Sequence, residues 1–158
     1  MATSRDILED YVSGGQLMQV ATLTSPDTVP GLCSVWYDAH FGPDLVRFIS
    51  RHDRQHSRAI RADPRVAGAI VAIPLTGLGQ VARGVTFTGR AHELPLLGID
   101  QQISDFCRRW PKAHPAIDPA KLAAGETSSR LYEIGVTEWV LFDEQNFPQQ
   151  PRQIIPAH

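Results

Sequence analysis

Cysteine is scarce in this chain: Cys33 and Cys107 are the only two, they lie far apart, and they match no metal-ligand spacing. That excludes a disulfide scaffold and a cysteine-based zinc module. In a reducing compartment both are expected as buried or half-buried thiols. No apolar run approaches the ~20 residues of a membrane span. The opening "MATSRDILEDY" lacks the apolar core of a secretory leader. A cytoplasmic protein without membrane or nucleic-acid partners is therefore expected. An excess of positive charge is also missing, with 15 basic residues against 17 acidic ones, which argues against a dedicated nucleic-acid binder. The chain contains no Gly-x-Gly-x-x-Gly or phosphate-binding loop and no Gly-x-Ser-x-Gly nucleophile elbow. Among the six histidines only His52 and His56 stand four apart, and without a third ligand they predict no metal site. Internal repeats and low-complexity tracts are absent, and 158 residues suit one domain with a real core.

What is present reads as short strands punctuated by turns. "TSRDILEDYVSGG" predicts an amphipathic helix over residues 1–14, with Ser4 as N-cap and Gly14-Gly15 as the stop. "QLMQVATLT", "VPGLCSVWYDA" and "LVRFIS" predict three strands, joined by the turns "SPDT" and "FGPD". Turns this short can join only antiparallel neighbours, so the three form a meander. Asp53 is the expected N-cap of a helix over about Arg54–Ala62, ended by Asp63-Pro64. "VAGAIVAI" predicts a strand buried on both faces, and "VTFTGRAHEL" a half-buried one. "GIDQQISDFCRRW" predicts a helix with Ile99, Ile103, Phe106 and Trp110 on one side. "PKAHPAIDPAKLAAGE" predicts a connection with one helical turn, and "RLYEIGVTEWVLFDEQN" one or two closing strands. The tail, residues 147–158, is too proline-rich for regular structure on this reading. The sum is a mainly β fold with α: a six- to seven-stranded antiparallel, Greek-key-like barrel with peripheral helices. The interior of a small barrel is filled by side chains, so a sizeable ligand must bind outside it or between subunits.

One stretch concentrates charge. Phe48–Val66 carries Arg51, Arg54, Arg58, Arg61 and Arg65 at spacings of 3, 4, 3 and 4, the period of one helical face. Arg58, Arg61 and Arg65 read as a solvated face. His56 shares the side of Ala59 and Ile60 and is expected to point inward, either as a satisfied core histidine or, with Arg54, as part of a phosphate seat at the helix start. In "CSVWY" strand alternation sends Cys33, Val35 and Tyr37 one way and Leu32, Ser34 and Trp36 the other.

The order of the pieces "QVATLTSPDTVPGLCSVWY", "DLVRFISRHDRQHSRAIRADPRVAGAIV" and "RGVTFTGRAHEL", from Leu17 to Leu94, resembles the pyridoxamine 5'-phosphate oxidase-like family of flavin-binding split barrels. "FCRRWPKAHP" and "RLYEIGVTEWVLFD" are similar to an uncharacterised subgroup of it. The resemblance implies a homodimer with FMN at the subunit interface and a small-molecule substrate. It implies that Arg54, Gln55, His56 and Ser57 meet the phosphate, with Ser50 near the ribityl chain or phosphate. Ser34, Val35 and Trp36 lie along the flavin, and Arg83, Gly84 and Val85 approach from a later strand, of the same or the partner subunit. Many members carry lysine where this chain has His56. The C-terminal basic motif of the true vitamin B6 oxidases is not visible in "FDEQNFPQQPRQIIPAH", so a different substrate is expected of an FMN oxidoreductase here. The deazaflavin F420 and haem are the alternative cofactors within the superfamily, and a non-catalytic carrier is the alternative role.

Overall fold

A computed structural model describes residues 1–24 and 29–158. The predicted turn Ser25–Thr28 lies outside the described residues. In helix α1 (Ser4–Gly14) the N-cap lies one residue before the expected Ser4. Thr3 is its N-cap, and a capping box joins Thr3 and Asp6: the Asp6 N–H donates to Thr3 Oγ1 at 3.1 Å and the Thr3 N–H to Asp6 Oδ2 at 2.8 Å. Leu8, Tyr11 and Val12, at helical spacing, bury one face. Gly15 ends the helix in extended backbone, and it is glycine for reasons of space: a Cβ there would meet the Tyr37 hydroxyl at 2.2 Å.

Strands β1 (Leu17–Thr22), β2 (Gly31–His40) and β3 (Leu45–Arg51) form the expected meander. After helix α2 (Gln55–Ala62), β4 (Arg65–Ile70) returns beside β1, which gives the Greek-key order β4-β1-β2-β3. β5 (Arg83–Glu93) pairs with β4, and β6 (Ser129–Asp143) pairs with β5 on one side and β3 on the other, closing a six-stranded antiparallel barrel. β4 is shorter than expected and buried on one face only: Val66, Gly68 and Ile70 point inward while Arg65 and Ala67 are exposed. Both neighbours are antiparallel and no helix covers its outer side, so the period is 2. Across it, Phe87 lies over Gly68, where a Cβ would come within 2.1 Å of the ring.

β6 is a single strand. Its first half, Ser129–Gly135, pairs with β3; a bulge at Thr137, opposite Thr88/Gly89, then turns it, and Glu138–Phe142 pairs with a seventh strand, β7 (Arg152–Pro156). This corrects the expectation of an irregular tail. The prolines Pro151 and Pro156 bracket the strand instead of interrupting it, and the free half of the β6 edge supplies its partners.

Between β5 and β6 the chain leaves the barrel for helix α3 (Asp100–Arg109), a 3-10 turn (Pro111–Ala113) and two short helices, α4 (His114–Ile117) and α5 (Pro119–Ala124), more helix than the one expected turn. They bury a second apolar cluster (Ile99, Ile103, Phe106, Ile117 and Leu122) on Leu131 and Ile49, outside the barrel over β3 and β6. The main core, from Leu8 and Tyr37 to Phe48 and Trp139, fills the barrel and is capped by α1. No helix among the described residues is long and apolar enough to cross a membrane.

Candidate functional site

The barrel is split on one side. β2 pairs with β3 only over Tyr37–His40 and Leu45–Phe48. Beyond that, Gly31–Trp36 pair with β1 alone and Ile49–Arg51 with β6 alone. The Tyr37 N–H donates to the Gln16 carbonyl at 3.2 Å. Antiparallel alternation therefore aims the main-chain groups of Val35 and Cys33 at β1 and those of Ser34 into the gap. An edge of unspent donors and acceptors is a natural contact for the polar rim of a ligand.

Beside this edge lies a cavity of about 620 Å3, within the usual range for small-molecule sites. One wall is β2, with Ser34, Val35 and Trp36; the other is the α3–3-10 segment, with Phe106, Trp110 and Lys112. Trp36 remains 55% exposed, an unusual position for so large an apolar surface. Its ring meets Trp110 edge to face, centroids 5.1 Å apart and planes at 65°. Trp110 is pinned: its indole N–H donates to the Tyr37 carbonyl at 2.8 Å, and the Arg109 guanidinium lies 5.0 Å over its ring. The wall is thus tied to the strand it faces.

The remaining sequence-predicted residues fall in two other places. Ser50, His56 and Ser57 meet at the β3–α2 corner. Ser50 Oγ lies 2.5 Å from His56 Nε2, and the Ser57 hydroxyl donates to the Arg51 carbonyl at 2.8 Å. Half-burial, reinforced by the nearby charge of Arg54, lowers the His56 pKa, so the ring is neutral at neutral pH. The corner holds a satisfied Ser–His pair, and a neutral imidazole is a weaker anion ligand than a charged one. Arg54 and Gln55 begin α2 in the open. Arg54, and not Asp53, is the N-cap, and it caps with no side-chain bond; the Asp53 carboxylate pairs with Arg51 at 3.1 Å.

The five arginines do not share one helical face, because Arg51 ends β3 and Arg65 opens β4. Arg61 pairs with Glu93 at 3.0 Å and Arg65 with Asp63 at 2.7 Å, which draws the Asp63 carboxyl down to about 2. Most of the basic run is therefore balanced locally.

Arg83, Gly84 and Val85 stand across the sheet. Arg83 bonds Asp143 at 3.2 Å and covers the Tyr11 ring, and Val85 is core. Gly84 shares an outward row with Trp36 but is three strands away, about 14 Å along the sheet at ~4.8 Å per strand. Within one chain these residues do not join the cavity. Between them the outer sheet face is small and shallowly hollow: Ala21, Ala67, Ala69, Thr86 and Thr88 line a depression of about 320 Å3. Exposed Leu32 and Trp36 flank it on the β2 side, Phe142 and Ile154 on the β6–β7 side.

Sequence reasoning missed Ile49, Phe106, Trp110, Lys112 and Ala113 as cavity residues. The only signal for them was the placement of Phe106 and Trp110 on one apolar helix side; what that side covered was not written locally. Among the described residues no group of three or more histidine, cysteine or acidic side chains gathers into a metal site.

No family model and no curated protein matches this sequence. Solved structures do. A haem-binding protein from Mycobacterium smegmatis superposes with a TM-score of 0.76 at 16% identity, over 99% of this chain and 59% of that one. An FAD-binding protein from Mesorhizobium loti gives 0.64 at 19% identity, over 87% and 92%. A protein related to general stress protein 26, of the pyridoxinephosphate oxidase family, from Clostridium acetobutylicum gives 0.66 at 9% identity, over 98% and 96%. The fold is therefore that of the pyridoxamine 5'-phosphate oxidase-like split barrels and the related flavin- and haem-binding proteins. At these identities the likeness is one of fold.

Proposed function

We propose that this protein is a cytoplasmic FMN-binding oxidoreductase that works as a homodimer on a small-molecule substrate other than pyridoxamine phosphate. The observation that carries the reading is the cavity at the split. It offers a flat aromatic ligand the exposed face of Trp36, the free main-chain groups of Ser34, and an apolar wall. The donor set suits a flavin better than haem, since among the described residues no histidine, cysteine, methionine or tyrosine lines the cavity to serve as an axial ligand. When bound, the flavin supplies the hydride or electron transfer. The chain's own residues position it: Trp36 packs against the ring, Ser34 meets its polar rim, and Arg54, exposed at the start of α2, offers a cation for its phosphate.

The outer sheet face supports the second copy. A shallow hollow of mostly small side chains, with Gln19 and Glu138 among its lining and exposed Leu32, Trp36, Phe142 and Ile154 beside it, is surface that a second copy would cover across a two-fold axis. Such an axis through the hollow brings one protomer's β6–β7 flank over its partner's Trp36 and closes the cavity. The free thiols Cys33 and Cys107 accord with a reducing compartment.

The test is titration of the purified protein with FMN, followed by quenching of flavin fluorescence, with haemin and F420 as parallel titrants. Saturable uptake of FMN, weakened about fivefold or more by Trp36→Ala, is expected. Indifference to FMN alongside a Soret band with haemin would replace the flavin reading by the haem one. Uptake of F420 alone would replace it by the deazaflavin one.

A further inference from the structure

Lysine is rarer in this chain than its basic count suggests: of 15 basic residues only Lys112 and Lys121 are lysines. Lys121 is spent within its own connection, its Nζ 3.4 Å from the Pro115 carbonyl. Lys112 lines the cavity, and among the described residues its ammonium has neither an acidic partner nor a hydrogen bond. Among the described residues no acidic side chain lines that cavity. Its position is built. Pro111 starts the 3-10 turn, the Ala113 N–H donates to the Trp110 carbonyl at 2.9 Å, and Trp110 is stapled to β2 through its indole. A cation without a counter-charge thus stands at the mouth of an aromatic pocket, on the wall opposite the strand that would carry the cofactor.

We infer that the α3–3-10 wall is the substrate subsite of this cavity and that it selects a planar aromatic carboxylate. The aromatic part would lie against Trp36 and Trp110, the two tryptophans that line the cavity. The carboxylate reaches Lys112. A single ammonium is a compact point charge with freely rotating donors, which matches one carboxylate at a solvent-facing mouth. As a statement about substrate, the inference rests on the cofactor reading above. As a statement about ligand charge, it stands on Lys112 and the two tryptophans.

The test compares 2-naphthoate with its neutral analogue 2-naphthalenemethanol by isothermal titration calorimetry on the full chain, with and without FMN. The expected result is a preference of about tenfold for the carboxylate in the unsubstituted protein. Lys112→Ala should abolish the preference, Lys112→Arg retain most of it and Lys112→Glu reverse it. Equal binding of the two probes, or a preference that survives Lys112→Ala, would overturn the subsite. A Lys112-dependent preference in a protein that takes up no FMN would support the subsite and sink the cofactor reading instead.

Discussion

Asp44 joins more of this molecule than any other polar side chain, and removing its carboxylate should be the costliest single polar change. Asp44 is 2% exposed, in the turn between β2 and β3. Its carboxylate accepts from both terminal nitrogens of Arg5 at 2.8 and 2.6 Å, from the Trp139 indole N–H at 2.7 Å and from the His158 main-chain N–H at 3.3 Å. Four parts of the chain meet there: α1, the β2–β3 turn, β6 and the residue after β7. In Asp44→Ala the Trp139 N–H is left orphaned in a fully buried side chain, a loss of about 1–3 kcal/mol. The Arg5 guanidinium, 18% exposed, keeps Glu9 and a long contact at 3.4 Å to the Pro156 carbonyl. Breaking a buried pair from one side costs ~3–5 kcal/mol, which for a domain of this length is a fall in Tm of roughly 6–20 °C. Asp44→Asn should fall between, because the amide oxygen still accepts from Trp139.

The pH dependence checks the cause. Burial by itself would raise the Asp44 pKa, but the hydrogen bonds from Arg5 and Trp139 outweigh it and hold it below the ordinary value. A depressed carboxylate contributes its stability above the unfolded value, near ~3.9, and loses it as pH falls through the lower folded value. The gap in urea-unfolding free energy between the unsubstituted protein and Asp44→Asn should therefore be constant above pH 4 and shrink below it. A loss under about 1 kcal/mol for Asp44→Ala would refute the reasoning, since that is the scale of an exposed pair. A gap that does not move with acid would do the same.

The His56 corner predicts a loss in the same direction at higher pH: with its folded pKa lowered, its contribution is complete above the unfolded value of ~6.5 and declines as pH falls below that toward the lower folded value. His56→Gln should flatten Tm between pH 7 and 5 in thermal scans, and an unchanged slope would count against the desolvated ring. For the outer sheet face, Ala67→Glu places a charge in the hollow at an exposed position, so the fold should survive while light scattering after gel filtration reports a monomer. A dimer that persists would move the interface elsewhere.

The local rules of the chain were enough for most of the barrel. Alternation in Gly31–Tyr37 and Arg83–Glu93, short turns that permit only antiparallel neighbours, and a 3.6-residue period in α1 and α3 are properties of neighbouring residues, so they can be read in order. The same rules placed Ser34 and Trp36 on one outward side, which became a wall of the cavity. They failed wherever a residue's role was set by a partner far along the chain. β7 exists because the second half of β6 has a vacant edge, and nothing within residues 147–158 announces that. The lowered pKa of His56 comes from its burial at the corner and the nearby charge of Arg54. The basic run loses its apparent helical face because β3 and β4 claim its two ends.

Above all, the cavity belongs to tertiary structure. The split between β2 and β3, the α3–3-10 wall over it and the ammonium of Lys112 at its mouth come from segments some sixty to eighty residues apart. Sequence determines which side chains are apolar, flat or charged and the period at which they recur. Only packing, which brings distant segments into contact and leaves some donors unpaired, decides which of them face a ligand.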